Sequence, residues 1–202
     1  MTDPARGGPS AASFGQDHGH DRDPTPLTRV PVRRGLPWSW GATDAEIDAD
    51  YPCAALVPDP AARMVRAVDV AAPAAVTFRW VCQLTQAPYS YDLIDNLGRR
   101  SPRTLTPGAD APEPGTPFVM IFQIADVVPG REITGVGRPG PTRRFGPMAC
   151  TYRVLPAGEH RSRLVARLDL TAGRLAAPIA WGDLLMMRKQ LRTLAACAGR
   201  TA

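Results

Sequence analysis

The C-terminal segment from Pro178 to about Ala198 carries the pattern that most constrains how this chain can fold. Its apolar residues recur at alternating spacings of four and three and so form one continuous stripe on a helix: Ala180, Leu184, Met187, Leu191, Leu194 and Ala198. The polar residues of the segment are assigned to the opposite side: Asp183, Lys189, Gln190, Arg192 and Thr193. A helix of about 20 residues is about 30 Å long, the width of a small domain. We therefore expect this helix to lie across a sheet and to form its main cover.

Strands with a period of two precede this helix. Residues 148–155 and 162–171 alternate apolar and polar side chains and are separated by a turn, which predicts an antiparallel pair with one face in water. The inward side chains are expected to be Leu164, Ala166, Leu168 and Leu170, and the outward ones Arg163, Arg167 and Asp169. Further strands are predicted over residues 62–70, 118–127 and 132–136, and residues 137–146 are predicted to be a loop.

Short helices are predicted between the strands. Thr43 and Glu46 have the spacing of a capping box, which predicts a helix over residues 44–48. Pro73 suits the first turn of a second helix, over residues 74–84. A third short helix or helical turn is predicted over residues 89–97, closed by Gly98.

The first 35 residues differ from the rest in composition. Residues 1–35 are rich in Pro, Gly, Ser and Asp and lack periodicity, which predicts a disordered tail, with His18 and His20 in solvent. Residues 36–202 are predicted to form a single domain, because about 100–200 residues is the usual size of one.

Several classes of protein are excluded by composition. The net charge is +5, but the basic residues are scattered and not interleaved with aromatic residues, so nucleic-acid binding is not expected. No apolar run has the roughly 18–20 residues of a membrane span, and the N-terminus lacks a signal peptide's apolar region, so a cytoplasmic protein is expected. The four cysteines lack zinc-site spacing and are expected to be buried free thiols. With only three histidines, the sequence predicts no metal, no cofactor and no histidine-dependent catalytic site.

Four short strings resemble a known superfamily. They are Trp40-Gly41-Ala42-Thr43; Ala72-Pro73-Ala74-Ala75-Val76 with Trp80 and Gln83; Tyr89-Ser90-Tyr91-Asp92 with Asp95-Asn96; and Trp181-Gly182-Asp183 with the segment 186–191. Together they resemble actinobacterial members of the SRPBCC superfamily, which includes START-like, polyketide-cyclase and lipid-transfer proteins. The resemblance implies an α+β helix-grip fold: a curved antiparallel sheet wrapped around a long C-terminal helix, with two short helices after the first strand.

The same resemblance implies a deep cavity between the sheet and the last helix. A polar rim at its mouth is predicted from Tyr89, Tyr91, Asp92 and Asn96, although these residues could instead be a capping and packing motif. The cavity wall is predicted from Phe118, Met120, Phe122, Tyr152 and Leu168, although these could instead fill a closed core. No residue is assigned as catalytic; Asp92 is the one acid that could act as a general base if it is buried.

Three functions remain open at this stage. The leading one is binding of a hydrophobic or polycyclic small-molecule ligand in the cavity, without a metal or cofactor. The first alternative is an enzyme that resembles polyketide cyclases and dehydratases and uses the same cavity. The second is a non-catalytic protein-interaction module with a vestigial cavity. The sequence leaves the ligand and the oligomeric state undetermined.

Overall fold

The structure is a computed structural model that describes residues 33–95 and 98–202. The predictions made for residues 1–32, with His18 and His20, lie outside the described residues, as does the predicted rim residue Asn96.

One mixed sheet dominates the described part of the chain. Its strands, in chain order, are β1 (Ser39–Trp40), β2 (Ala62–Val70), β3 (Pro117–Phe118), β4 (Phe122–Val128), β5 (Glu132–Gly137), β6 (Met148–Pro156) and β7 (Ser162–Leu170). Their order in the sheet is β1-β2-β7-β6-β5-β4-β3. The β1–β2 pair is parallel and every other pair is antiparallel. The long strands β2, β6 and β7 therefore lie side by side and form the centre of the sheet.

Six α-helices occur among the described residues. They are α1 (Asp44–Asp48), α2 (Cys53–Leu56), α3 (Ala74–Cys82), α4 (Asp92–Asp95), α5 (Pro139–Phe145) and α6 (Ala176–Thr201). Two short 3₁₀ turns, Gln83–Thr85 and Gly173–Leu175, follow α3 and precede α6. The capping box predicted at α1 is present: the Thr43 hydroxyl accepts from the Glu46 N–H, and the Glu46 carboxylate accepts from the Thr43 N–H.

The long helix α6 packs on the inner face of the sheet together with α3. Leu191, Leu194 and Ala198 of the predicted stripe are at most 1% exposed. This arrangement of a curved sheet around a long C-terminal helix, with short helices after the first long strand, is the predicted helix-grip fold.

The predicted polar side of α6 is wrong at three positions. Asp183 is only 12% exposed at its side chain, and Gln190 and Thr193 are buried. Asp183, Met187 and Gln190 are spaced by four and three residues, so they share the inward face with the apolar stripe. The buried face of α6 is thus wider than the apolar residues alone indicated.

The prediction that one face of β7 is exposed to solvent is also wrong, because α1 and α2 cover this face. Arg167 and Asp169 are at most 2% exposed and form a two-bond ion pair, with N···O distances of 3.0 and 2.6 Å. The Arg167 guanidinium also lies 5.5 Å from the ring centre of Tyr51. A second apolar cluster surrounds this pair: Ile47, Tyr51, Cys53, Val57, Val65, Ala67, Ala149 and Val165.

Two local predictions in the middle of the chain need correction. The strand predicted over residues 118–127 is divided by a turn, because Val119 and Met120 have φ values of 43° and 62°. The loop predicted over residues 137–146 contains α5, which begins at Pro139. Proline fits the first turn of a helix because the N–H it lacks would have no partner there.

Two residues assigned to the tail contact the domain. The Arg34 guanidinium binds the carboxylates of Asp44 and Asp48 at 3.0 and 2.9 Å. The Arg33 guanidinium lies 4.6 Å from the ring centre of Trp38. Contacts with the domain therefore begin before residue 36.

The phase of α6 can be tested by truncating one buried and one exposed side chain. Leu191→Ala is expected to lower the free energy of unfolding by about 2–5 kcal/mol, because it leaves a cavity in a closed core. The control Lys189→Ala removes an exposed side chain and is expected to change it by less than about 0.5 kcal/mol. Urea unfolding measures both, and equal effects would contradict the helix phase.

Candidate functional site

A cavity of about 410 Å³ lies between the inner face of the sheet and the first half of α6. Most of its wall is apolar. It is lined by Pro88, Ser90, Val119, Met120, Ile121, Phe122, Cys150, Tyr152, Arg167, Leu168, Ile179, Asp183, Met186, Met187 and Gln190. The volume is within the roughly 300–1,000 Å³ typical of small-molecule sites.

The sheet side of the cavity follows from strand alternation. Cys150 and Tyr152 are two residues apart on β6 and so point to the same face. Cys150 pairs with Leu168 of β7, which brings that side chain beside them. On the opposite side, Ile179 and Met187 of α6 complete the apolar wall.

Phe118 supports this wall from behind. Its ring is fully buried and meets the Tyr152 ring edge to face, with centroids 5.4 Å apart. The close approach depends on Gly135 of β5, where an added Cβ would lie 3.1 Å from Phe118 Cδ1 and 3.2 Å from Cys150 Sγ. A side chain at position 135 would therefore force Phe118 or Cys150 to shift by a few tenths of an ångström.

The turn between β3 and β4 supplies the most exposed part of the wall. Met120 and Ile121 are 46% and 42% exposed, although both are apolar. The Ile121 N–H donates to the Val119 carbonyl at 2.7 Å, which closes a tight turn around Met120. Left-handed backbone at two consecutive non-glycine residues stores strain, which is a common property of ligand-contacting segments.

Tyr152 and Gln190 form one polar contact in the wall. The Tyr152 hydroxyl donates to Gln190 Oε1 at 2.6 Å, and Gln190 Nε2 donates to the Pro88 carbonyl at 2.6 Å. Gln190 thereby connects α6 to the chain segment after α3. The pair satisfies a buried hydroxyl and a buried amide that would otherwise be costly to desolvate.

Asp183 and Arg66 form a second polar contact. Arg66 lies on β2 and is 1% exposed. One guanidinium nitrogen donates to Asp183 Oδ2 at 3.0 Å and to the Pro37 carbonyl at 2.6 Å, and the other donates to the Trp38 carbonyl at 2.7 Å. An ion pair with one member in the cavity wall therefore ties α6 to the sheet.

Burial shifts the pKa values of the groups in the wall. Desolvation raises the pKa of Asp183 to about 6, against the lowering effect of Arg66. Desolvation also raises the pKa of Tyr152 and of Cys150 well above their ordinary values. At neutral pH the wall thus contains one mostly ionised carboxylate beside a neutral phenol and a neutral thiol.

Four of the predicted wall residues line the cavity: Met120, Phe122, Tyr152 and Leu168. The fifth, Phe118, lies behind Tyr152, as described above. The predicted rim residues Tyr89, Tyr91 and Asp92 are not part of the cavity wall. The structure therefore brings together the residues predicted on strands and separates them from the predicted rim.

Asp92 organises a loop. Its two carboxylate oxygens accept from the N–H and the hydroxyl of Ser101, at 3.0 and 2.5 Å. This is the capping alternative left open by the sequence, and it places Asp92 away from a role as general base in this cavity. Tyr89 is 1% exposed and meets Trp80 edge to face, so it belongs to the core.

Sequence reasoning missed Asp183 and Gln190 because their polarity assigned them to the outer side of α6. The signal was nevertheless present, since both residues recur at the spacing of the apolar stripe. A polar residue at a core spacing indicates a buried hydrogen-bonding group.

The described residues contain no helix long and apolar enough to cross a membrane. Among them, no group of three or more His, Cys, Asp or Glu side chains is placed to hold a metal ion. All four cysteines are buried free thiols, as predicted.

Comparisons with known proteins find similarity in structure alone. No protein-family model and no curated protein matches the chain. A protein from Thermobifida fusca, solved by NMR, is 16% identical, with 68% of this chain and 93% of that chain covered and a TM-score of 0.49. The Zhui aromatase/cyclase from Streptomyces sp. R1128 is 18% identical, with 68% and 93% covered and a TM-score of 0.39. A START superfamily protein from Mycobacterium smegmatis is 12% identical, with 69% and 99% covered and a TM-score of 0.43.

The similarity is one of architecture. One of the three solved structures is described as an aromatase/cyclase and another as a START superfamily protein. The helix-grip fold that the resemblance implies is established by the sheet order and the placement of α6 in this chain itself.

The raised pKa of Asp183 predicts a pH dependence of stability. Between about pH 4 and 6 the folded chain keeps a proton on Asp183 that the unfolded chain has lost, so this contribution to stability falls as the pH rises. The contribution is about 1.4 kcal/mol for each unit by which the pKa of Asp183 in the folded chain exceeds its pKa in the unfolded chain. Arg66 on β2 is the charged group that binds the carboxylate. Tyr152 and Cys150 on β6 interact with it electrostatically, since its negative charge raises their pKa values.

Asp183→Asn removes this titration. Urea unfolding from pH 4 to 7 should show the wild type losing stability relative to the variant as the pH rises. Asp59→Asn, which changes an exposed carboxylate, is the matched control and should run parallel to the wild type. A difference between the wild type and Asp183→Asn that stays constant with pH would contradict the assignment.

Proposed function

We propose that this protein binds a hydrophobic or polycyclic small molecule in the cavity between the sheet and α6. The observation that carries the proposal is an apolar space of about 410 Å³ whose wall contains a few polar groups. This combination of a large apolar surface with a few fixed polar atoms is characteristic of small-molecule sites.

The way the walls are built supports binding. The sheet side is held by the paired central strands β6 and β7, and the helix side is tied to the sheet by the Arg66–Asp183 ion pair. These contacts hold the helix and the sheet at a fixed separation beside the space. Met186 and Met187 add flexible thioether side chains, which adapt to ligands of irregular shape.

Access to the cavity is supported by the exposure of its wall. Met120 and Ile121 present apolar side chains partly to water, which is unfavourable unless another apolar surface covers them. A ligand that enters beside this turn would bury them. The same turn is strained, and strained backbone is concentrated in segments that contact ligands.

A neutral fluorescent probe tests this proposal. N-phenyl-1-naphthylamine is expected to bind the natively folded protein with enhanced fluorescence. Leu168→Trp places a bulky ring in the cavity and should weaken the binding at least about tenfold while thermal unfolding remains cooperative. Leu185→Trp makes the same change at a 58% exposed position of α6 and should bind like the wild type.

The outcomes separate the alternatives. If neither the wild type nor the Leu185→Trp protein binds the probe, the ligand-binding proposal fails and an interaction module remains. If Leu168→Trp binds as well as the wild type, the probe occupies another surface and this cavity is not its site.

One observation favours an enzyme as the second candidate. Asp183 is a carboxylate in an apolar cavity with its pKa raised to about 6, which suits proton transfer near neutral pH. In this candidate the ionised Asp183 removes a proton from a carbon next to a ligand carbonyl, as a reaction of the polyketide-cyclase type requires. Asp183, rather than Asp92, is the residue that the geometry favours for this role.

Hydrogen–deuterium exchange of a small ketone tests this chemistry. NMR would follow exchange at the activated carbon of 2-tetralone, with and without protein. An enzyme should accelerate the exchange, with a rate that rises as the pH passes through about 6, because the base must be ionised. Asp183→Asn should reduce exchange to the protein-free rate, and Asp59→Asn should not. Equal exchange with and without the wild-type protein removes Asp183 as a base for such ketones.

A further inference from the structure

The polar atoms on the sheet and helix sides of the cavity share one hydrogen-bonding character. Three side chains supply them and are called the polar wall below: Tyr152 from β6, and Asp183 and Gln190 from α6. Whether each group can donate or accept a further bond follows from the partners it already has.

The orientation of the Gln190 amide is fixed by the Pro88 carbonyl. A carbonyl oxygen can only accept, so the nitrogen of the amide must be the atom that faces it, at 2.6 Å. The amide oxygen, Oε1, therefore faces Tyr152. Gln190 Oε1 can therefore only accept a hydrogen bond from the Tyr152 hydroxyl.

The single proton of Tyr152 is consequently committed to Gln190, at 2.6 Å. Met187 Sδ lies 3.3 Å from the same hydroxyl, and a thioether sulfur has no proton to give. The tyrosine oxygen keeps a lone pair without a donor from the described residues. Towards a ligand it can only accept.

Asp183 is also an acceptor. Its Oδ2 atom is bound by Arg66, whereas no donor among the described residues is within hydrogen-bond distance of Oδ1. Arg66 directs both terminal nitrogens to Asp183 and to backbone carbonyls. Its Nε atom is buried without a partner, but Arg66 is not part of the cavity wall.

The other two polar residues of the wall do not change this character. The Arg167 guanidinium is committed to Asp169 and to the Ala49 carbonyl on the outer face of the sheet. Ser90 is already engaged within the protein, so the character of the wall is set by the other three side chains.

We infer that the cavity selects apolar ligands that carry a hydrogen-bond donor, such as a phenolic hydroxyl or an amine, and rejects ligands that carry a carboxylate. The inference rests on the proposed function and specifies its ligand class. A ligand without a donor leaves the Asp183 oxygen and the Tyr152 oxygen desolvated and unpaired. An anionic ligand meets a carboxylate of the same sign in a medium of low dielectric constant.

Three naphthalenes of similar size test the selection. They are 2-naphthol, which can donate, 2-methoxynaphthalene, which cannot, and 2-naphthoate, which is anionic. Displacement of N-phenyl-1-naphthylamine at pH 7.5, where Asp183 is ionised, gives the three dissociation constants. We expect 2-naphthol to bind at least about tenfold more tightly than 2-methoxynaphthalene. The free energy that a hydrogen bond to a charged group contributes corresponds to about this ratio of dissociation constants. We expect 2-naphthoate to bind most weakly.

Asp183→Asn inverts the pattern. Arg66 needs an acceptor, so it fixes the oxygen of the new amide and leaves the amide N–H₂ directed at the cavity. The variant should lose the preference for 2-naphthol and gain affinity for 2-naphthoate. Tyr152→Phe should reduce the preference for 2-naphthol without any gain for 2-naphthoate, because it removes an acceptor and adds no donor.

The three dissociation constants of the wild-type protein are sufficient to test the inference, even if a variant does not fold. Tight binding of all three naphthalenes with equal affinity, or tightest binding of 2-naphthoate, overturns the donor selection and leaves ligand binding intact. Absence of binding by all three, together with absence of probe binding, overturns the proposed function itself.

Discussion

The buried guanidinium of Arg66 is the constraint on which the rest of the site depends. A buried charge is costly unless it is paired, and Asp183 and the carbonyls of Pro37 and Trp38 bind the two terminal nitrogens of this guanidinium. These contacts fix the distance between the first half of α6 and the sheet. The second half of α6, at Leu191 and beyond, packs directly on the core. The same helix therefore closes the core at one end and leaves a lined space at the other.

This division explains why the polar wall and the apolar wall coexist. Around the cavity, α6 is held by the ionic contact of Asp183 and the hydrogen bonds of Gln190, in addition to the buried side chains of Ala180 and Leu184. The space beside these contacts can stay open for a ligand. In the second half the anchoring is apolar, and any space there would reduce stability directly. With the proposed function, binding and stability are thus assigned to different segments of one element.

The sequence predicted the elements whose signals are local, namely the stripe of α6, the capping box of α1 and the alternation of β6 and β7. It misjudged features that depend on contacts distant in the chain. Asp169 has the pattern of a solvent-facing residue, and its burial depends on Arg167 and on the cover that α1 and α2 provide. Asp183 was likewise assigned by polarity, although its partner Arg66 is on another strand. The turn at Met120 could not be foreseen because an apolar run without glycine gives no sign of left-handed backbone.

The burial of the cysteines has a consequence for the conditions in which the fold can persist. Desolvation raises the pKa of Cys53 to about 11 and that of Cys82 to about 12, and it raises the pKa of Cys150 well above its ordinary value. Oxidants and other electrophiles react with the thiolate, and these three thiols are protonated and shielded from water at neutral pH. The thiol of Cys150 in the cavity wall is therefore expected to react slowly with such reagents, and the shape of the wall is then little affected by the redox state of the surroundings.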